Sequence, residues 1–131
     1  MMFFWITFAL ISATLALLAY KDIRYYILPD ILNLNLFILL ITLNFLSNWQ
    51  LMDIEYAILG SLLGGGMMLS IKLIADKFYK PDSLGLGDVK LITAAGIGLG
   101  FPNIFIMLSL GSLIGILHAF TIAYKNRINI T

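Results

Sequence analysis

Long apolar runs separated by short polar segments dominate this chain. The runs cover residues 2–20, 31–47, 56–75, from 87 or 88 to 100, and 104–124. An α-helix rises 1.5 Å per residue, so about 20 apolar residues cross the roughly 30 Å hydrocarbon core of a bilayer. The pattern therefore predicts an all-α fold: a polytopic membrane bundle of about five transmembrane helices, in one domain covering residues 1–131.

The basic residues predict how this bundle lies in the membrane. No Lys or Arg precedes the first apolar run, which argues for a retained helix and against a cleaved signal peptide. All of the Lys and Arg residues lie in or beside segment 21–30, segment 76–87 and the C-terminus: Lys21, Arg24, Lys72, Lys77, Lys80, Lys90, Lys125 and Arg127. Segments 48–55 and 101–103 carry none. The positive-inside rule then predicts an N-terminus outside and a cytoplasmic C-terminus.

Small residues predict close contacts between helices. Gly60 and Gly64 form one G-x-x-x-G pair, and Gly111 and Gly115 form another. Such pairs let helix backbones approach closely in lipid. The alternative is that glycine is simply frequent in membrane helices; the two spaced pairs favour packing.

Composition limits the kinds of catalytic group and binding partner that are possible. Hydrophobic residues make up 61% of the chain and charged residues 11%, whereas a soluble domain carries about 25% charge. The net charge of +1 does not suggest a nucleic-acid partner. There is no cysteine, and His118 is the single histidine, so we expect no metal site and no cysteine or Ser-His-Asp nucleophile. Carboxylates remain as the candidate catalytic groups.

Two aspartates, Asp22 and Asp88, stand where apolar runs meet basic residues. The predicted topology puts both on the cytoplasmic face. A carboxylate at a membrane boundary is costly unless it is used. Two carboxylates that share one proton can act as base and acid in peptide hydrolysis, without metal or cofactor. The structural alternatives are an ion pair of Asp22 with Lys21 or Arg24, and a helix cap at Asp88.

Neighbouring residues add to this candidate site. Gly85 and Gly87 permit a positive φ and a close approach of another backbone, so an extended peptide can lie beside Asp88. Lys90 points to another face of its helix, and it either lowers the pKa of the acids or snorkels to the cytoplasm. We expect Asp30 to cap its helix.

We expect Asn33 and Asn35 to form hydrogen bonds between helices. Hydrogen bonding to a substrate or to the segment around Asp22 is the alternative for these two amides.

The sequence motifs around both acids resemble those of the type IV prepilin peptidases, a family of membrane aspartic peptidases. Asp22 followed by Leu28-Pro29-Asp30 looks like their first signature. The segment Gly85-Leu86-Gly87-Asp88-Val89-Lys90-Leu91 resembles their second, the G-x-G-D motif. A G-x-G-D motif alone would be weak evidence for this family, because presenilin-type proteases share the motif. The resemblance covers about residues 10–120, and it implies that Asp22 and Asp88 are the catalytic pair, with Gly85, Gly87, Pro29 and Lys90 as supporting residues.

The resemblance also implies substrate and location. The expected reaction is cleavage of the short basic leader from pilin-like precursors at the cytoplasmic face of the bacterial inner membrane, in type IV pilus assembly or protein secretion. A second copy of the chain, or a component of the pilus or secretion machinery, is a further candidate partner. Full-length bacterial members of the family often carry a cytoplasmic insert with two Cys pairs that is associated with N-methylation. This chain has no cysteine, so we expect no methyl transfer and no S-adenosylmethionine site.

Two other functions remain open. The chain ends about where many members continue into a further helix, so a non-catalytic short homologue acting in pilus or secretion-system assembly is the main alternative. A small transporter or proton-coupled channel is another, because intramembrane carboxylates also mark ion pathways. The acids lie at helix ends and not mid-span, which disfavours the transporter.

Overall fold

A computed structural model describes residues 1–81 and 84–128. Within these residues the chain is all helical. The helices are α1 (Met2–Tyr25), α2 (Asp30–Leu46), α3 (Ile54–Phe78), α4 (Leu86–Leu99) and α5 (Asn103–Ile128). The predicted all-α fold and its five helices are confirmed, with α1 and α3 extending further at their C-terminal ends than the apolar runs do. Because α1 continues to Tyr25, Asp22 lies within its last turns and does not end it.

Three of the described helices, α1, α3 and α5, are long and apolar enough to cross a membrane. The 17 residues of α2 and the 14 of α4 span only about 25 and 21 Å at 1.5 Å per residue. A shorter helix fits a bilayer when longer neighbours cover it or when its ends lie at the interface. The chain is therefore a membrane protein, and its predicted orientation stays a prediction.

The helix α4 lies at the centre of the bundle, where it packs on α3, on α2 and on the start of α5. The helix α1 packs on α2. Among the described helices, the backbones of α1 and α4 do not approach each other closely. The core joins α1, α2 and α4 through Ile11, Leu18, Leu36 and Ala94. This arrangement leaves a space between α1 and α4, with α2 bridging them.

Glycines on α3 and α4 set the closest helix contact. A Cβ built on Gly60 would lie 2.7 Å from the Gly96 carbonyl oxygen, and one on Gly96 would lie 2.5 Å from the Gly60 carbonyl oxygen. Gly64 faces Ile104 at a similar distance. No side chain fits between these backbones, so the predicted packing role of Gly60 and Gly64 is confirmed.

The other glycine pair behaves differently. Nothing lies within 4 Å of a Cβ built on Gly111 or on Gly115. The helix α5 contacts the bundle near its start, where Ile104 is fully buried, and its later residues are exposed. The predicted packing of Gly111 and Gly115 against another helix is therefore wrong within this chain, since only the first turns of α5 lie against the bundle.

Amide side chains on α2 connect it to both neighbours. Asn33 donates through Nδ2 to the Gly87 carbonyl at 3.2 Å, and Asn35 donates to Thr14 Oγ1 at 3.4 Å. These two bonds confirm the predicted hydrogen bonding between helices. Asn44 adds a buried bond to the Ile97 carbonyl at 3.1 Å. The helix α2 is thus held to α1 by one amide and to α4 by two.

Candidate active site

The two aspartates lie at the same end of the bundle. Asp22 is in the last turns of α1, which ends at Tyr25. The chain then reverses at Tyr26, whose φ of 53° is left-handed and whose backbone N–H donates to the Asp22 carbonyl. Asp88 lies in the first turn of α4, which begins at Leu86. The chain leaves α1 and enters α4 at this end, so the two carboxylates approach each other.

Both acids line one cavity of about 210 Å³, here named the dyad cavity. Its lining is Asp22, Tyr26, Ile27, Leu28, Gly85, Gly87 and Asp88. The cavity therefore brings together both aspartates and both glycines that the sequence predicted. Two segments that are distant in the sequence meet there: the connection between α1 and α2, and the start of α4.

The environment of Asp88 favours its protonated form. Asp88 lies outside the three long apolar helices, at the start of α4. Burial raises the pKa of Asp88 above its ordinary value of 3.8, and the nearby Asp22 carboxylate raises this pKa further. Burial removes water from the charged form, and a neighbouring negative charge repels a second one. The second cause follows from the position of the two carboxyls in one cavity.

The structural alternatives for the two aspartates do not hold in the described residues. Within residues 1–81 and 84–128, no hydrogen bond or ion pair involves either carboxylate. Lys21 lies 5.8 Å from the centre of the Tyr25 ring, and α4 begins after Gly85 without a side-chain cap. Carboxylates without internal partners at a cavity are free to contact water or a substrate.

Gly87 is the point where the two segments touch. A Cβ on Gly87 would lie 2.7 Å from the Leu28 Cβ and 3.2 Å from the Leu28 carbonyl oxygen. The Gly87 carbonyl accepts the hydrogen bond from Asn33. The close approach expected of Gly87 is therefore found, and the partner is this chain's own Leu28. Because Leu28 follows Asp22 through a short connection, this contact helps place α1 relative to Asp88.

Gly85 has a different environment. It precedes α4 with φ near −67°, so it does not use the positive φ that glycine permits. Among the described residues the one glycine with positive φ is Gly100, at the end of α4. A Cβ on Gly85 would lie 3.6 Å from Asp88 Oδ2, an ordinary contact. Gly85 thus leaves open space directly in front of the carboxylate.

Lys72 holds the segment that leads into the site, although from the sequence it was expected only to influence topology. Its side chain is buried, and Nζ contacts Asp76 Oδ2 and the Leu84 carbonyl oxygen at 2.8 Å each. Leu84 directly precedes Gly85. A lysine inside an apolar run was the available signal, because a buried ammonium needs partners. The identity of those partners required the fold.

Lys90 and Asp30 pair with each other at 2.7 Å. The prediction that Asp30 caps α2 is wrong: Pro29 is the N-cap residue, no side chain caps the helix, and the Asp30 carboxylate turns to Lys90. Both side chains are largely exposed. Lys90 therefore joins the start of α2 to α4, and the causes of the raised Asp88 pKa do not include it.

In the described part of the chain, no group of three or more His, Asp or Glu side chains is arranged to hold a metal ion. The groups that can react in this site are two interacting carboxyls beside an open cavity. One can hold a proton while the other is ionised, which is the protonation state that general acid–base hydrolysis needs.

Comparisons with known proteins identify the family of this chain. The type IV leader peptidase family matches residues 9–120, a range that contains both aspartates. The chain is 33% identical over 110 residues to the prepilin leader peptidase/N-methyltransferase of Escherichia coli (strain K12). The match covers 84% of this chain and 48% of that relative, so the chain spans about half of its length. No solved structure matches. The chain belongs to the type IV leader peptidase family.

Proposed function

We propose that this protein is a membrane aspartic endopeptidase that removes the basic leader from type IV prepilin-like precursors. The observation that carries the proposal is the dyad cavity, where Asp22 and Asp88 lie together and where burial, and then the Asp22 carboxylate, raise the pKa of Asp88. Membership of the leader peptidase family supports the same reaction. The supporting roles are those described above: Gly87 allows close approach, Gly85 leaves open space, Pro29 is the N-cap residue of α2, and Lys90 joins the start of α2 to α4.

In the proposed mechanism the two carboxyls share one proton. Asp88, with its raised pKa, holds this proton, and ionised Asp22 removes a proton from a water molecule. The water oxygen bonds to the scissile carbonyl carbon while Asp88 donates its proton to the carbonyl oxygen. The tetrahedral intermediate then collapses: one of its hydroxyls returns a proton to Asp88 as the new carboxyl group forms, the carbon–nitrogen bond breaks, and the amine leaves with the proton taken up by Asp22. The shared proton is thereby returned, and no other group is consumed.

The position of the acids fits a membrane-inserted substrate. They lie at the end of the bundle that carries Lys21, Arg24 and Lys90. The positive-inside rule supports a cytoplasmic position for this end, and the resemblance to the family supports the bacterial inner membrane as the location. A precursor whose apolar helix is in the bilayer would present its leader at this level.

The name of the Escherichia coli relative includes an N-methyltransferase. We propose no such activity here, because the chain lacks the cysteines noted above.

The proposal is tested with the detergent-purified protein and a panel of pilin-like precursors, with products identified by mass spectrometry. We expect one cut between leader and apolar segment in wild type, and a loss of rate of at least about 10³-fold in Asp22→Asn and in Asp88→Asn, the scale of removing a catalytic group. Asp53→Asn is the matched control, since Asp53 precedes α3 at the other end of the bundle. Cleavage retained in both dyad variants contradicts the assignment, and no cleavage by wild type favours the non-catalytic alternative.

A further inference from the structure

A second cavity of about 280 Å³ adjoins the dyad cavity and shares Asp22, Leu28 and Asp88 with it. The rest of its lining is apolar and consists of Leu15, Leu18, Ala19 and Leu91. We name it the apolar slot. It is the space between α1 and α4, the two helices that carry the acids and whose backbones do not approach each other closely.

The apolar slot runs from the acids along both helices. On α1, Leu15, Leu18 and Ala19 precede Asp22 at helical spacing, so they share its face. The distance from Asp22 to Leu15 along the helix is about 10 Å at 1.5 Å per residue. On α4, Leu91 lies one turn after Asp88. The slot therefore begins at the acids and continues about two turns into the apolar part of the bundle.

The walls of the slot differ in exposure. Leu18 is 2% exposed and belongs to the core, and Leu28 and Leu91 pack against that core. These side chains form the inner wall. Leu15 is 46% exposed, and Ala19 is also exposed. The outer side of the slot is therefore open toward the lipid, from which a membrane-inserted chain can enter.

The charge and polarity of the slot select its occupant. It suits a chain that changes from polar to apolar at the level of the two acids. A phospholipid acyl chain would fit the apolar part, but its phosphate would then lie beside two carboxylates, and like charges at short range are unfavourable. A pocket for a whole small ligand has roughly 300–1,000 Å³. A smaller cavity takes side chains of a helix lying beside it and not the helix itself.

We propose that the apolar slot binds the apolar residues of the precursor that follow the scissile bond, with Leu15, Ala19 and Leu91 as specificity-determining residues. This proposal rests on the proposed function. Side chains seated in the slot hold the bond next to them at the level of Asp22 and Asp88. The slot thereby couples recognition of a membrane helix to the position of the cut.

The test compares two substrates and two matched variants. Ala19→Phe fills the slot, and Ala16→Phe makes the same change on an exposed position of α1 outside it. We expect Ala19→Phe to lower kcat/KM for the membrane-inserted precursor at least about tenfold, because overpacking excludes the bound side chain. A truncated peptide that ends just after the scissile bond should be cleaved as by wild type. Ala16→Phe should change neither rate.

Leu91→Ala in the Ala19→Phe background supplies a second readout, because it returns space to the slot. We expect it to restore part of the lost cleavage, which a folding defect would not allow. Normal precursor cleavage by Ala19→Phe overturns the slot proposal but leaves the peptidase intact. Equal losses on both substrates also overturn it.

A photo-crosslinking residue at Ala19 in the Asp88→Asn protein tests occupancy directly, with the same residue at Ala16 as control. Crosslinks from position 19 to the precursor, and not from position 16, support the proposal. Crosslinks from position 19 to lipid alone overturn it. This readout needs no cleavage, so failure of the peptidase function and failure of the slot are told apart.

Discussion

Gly87 determines how closely the segment after Asp22 approaches the start of α4. Its missing Cβ allows Leu28 to approach α4, and its carbonyl accepts a hydrogen bond from Asn33. The sequence predicted that a backbone would approach closely here, because the residue lies beside an acid in a glycine-containing motif. It did not predict which backbone, since Leu28 has no feature in the sequence that marks it as a partner. The glycine therefore serves the internal packing that places the acids.

Gly87→Ala tests this role. The added methyl would lie 2.7 Å from the Leu28 Cβ, so the two segments must separate, at a cost of about 1–3 kcal/mol in unfolding free energy. A misplacement of about 1 Å between the acids should lower the cleavage rate about 100-fold. The measurements are thermal unfolding in detergent and precursor cleavage. Gly85→Ala is the control for stability, because its methyl meets only an ordinary contact; an equal loss of unfolding free energy in both variants would contradict the account.

The raised pKa of Asp88 also predicts a stability effect. The folded state binds the Asp88 proton more tightly than the unfolded chain does, so stability falls as pH rises from 3.8 through the raised pKa. Asp88 therefore destabilises the fold only at pH values above its raised pKa, where it is ionised. The melting temperature of wild type should fall relative to that of Asp88→Asn as pH rises through this range, and the difference should disappear at low pH, where Asp88 is protonated in both states. A wild type whose melting temperature instead rises relative to that of Asp88→Asn over this range would show that the carboxylate is structural.

At the scale of elements, α2 and α3 position the helices that carry the acids. Asn33 and Asn44 hold α2 to α4, and Asn35 holds it to α1. Polar residues inside apolar runs predicted such bonds at Asn33 and Asn35, because an unsatisfied amide is costly in lipid. The partner of Asn33 is a backbone carbonyl. Every residue has such a carbonyl, so the sequence does not show which one accepts the bond. On α3, buried Lys72 holds Leu84 at the entry to the G-x-G-D segment.

Lys72→Met should therefore weaken both the fold and the site. It removes a buried ammonium from Asp76 and from the Leu84 carbonyl. We expect a loss of roughly 3 kcal/mol in unfolding free energy, the lower end for a broken buried ion pair, because Asp76 keeps some access to water. Lys77→Met is the matched control on the same helix, at an exposed position. Equal melting temperatures for the two variants would show that the buried contacts contribute little.

At the scale of the whole molecule, hydrophobic periodicity was enough to predict five helices, because each apolar run must form a helix in lipid. The two motifs were enough to select Asp22 and Asp88, and the even number of crossings between them predicted a common face. The apolar slot could not be predicted, since it exists only because α2 separates α1 from α4. The failed prediction for Gly111 and Gly115 has a similar origin: spacing identifies a smooth surface but not whether a helix of the same chain covers it.

The coupling between Asp22 and Asp88 is measured most directly by titrating the Asp88 carboxyl, with infrared spectroscopy of isotope-labelled protein, in wild type and in Asp22→Asn. Removing the Asp22 charge should lower the pKa of Asp88, but the pKa should stay above 3.8 because burial is the larger cause. Asp53→Asn should leave the titration unchanged. An Asp88 pKa that is the same with and without the Asp22 carboxylate would mean that the two acids do not form one site.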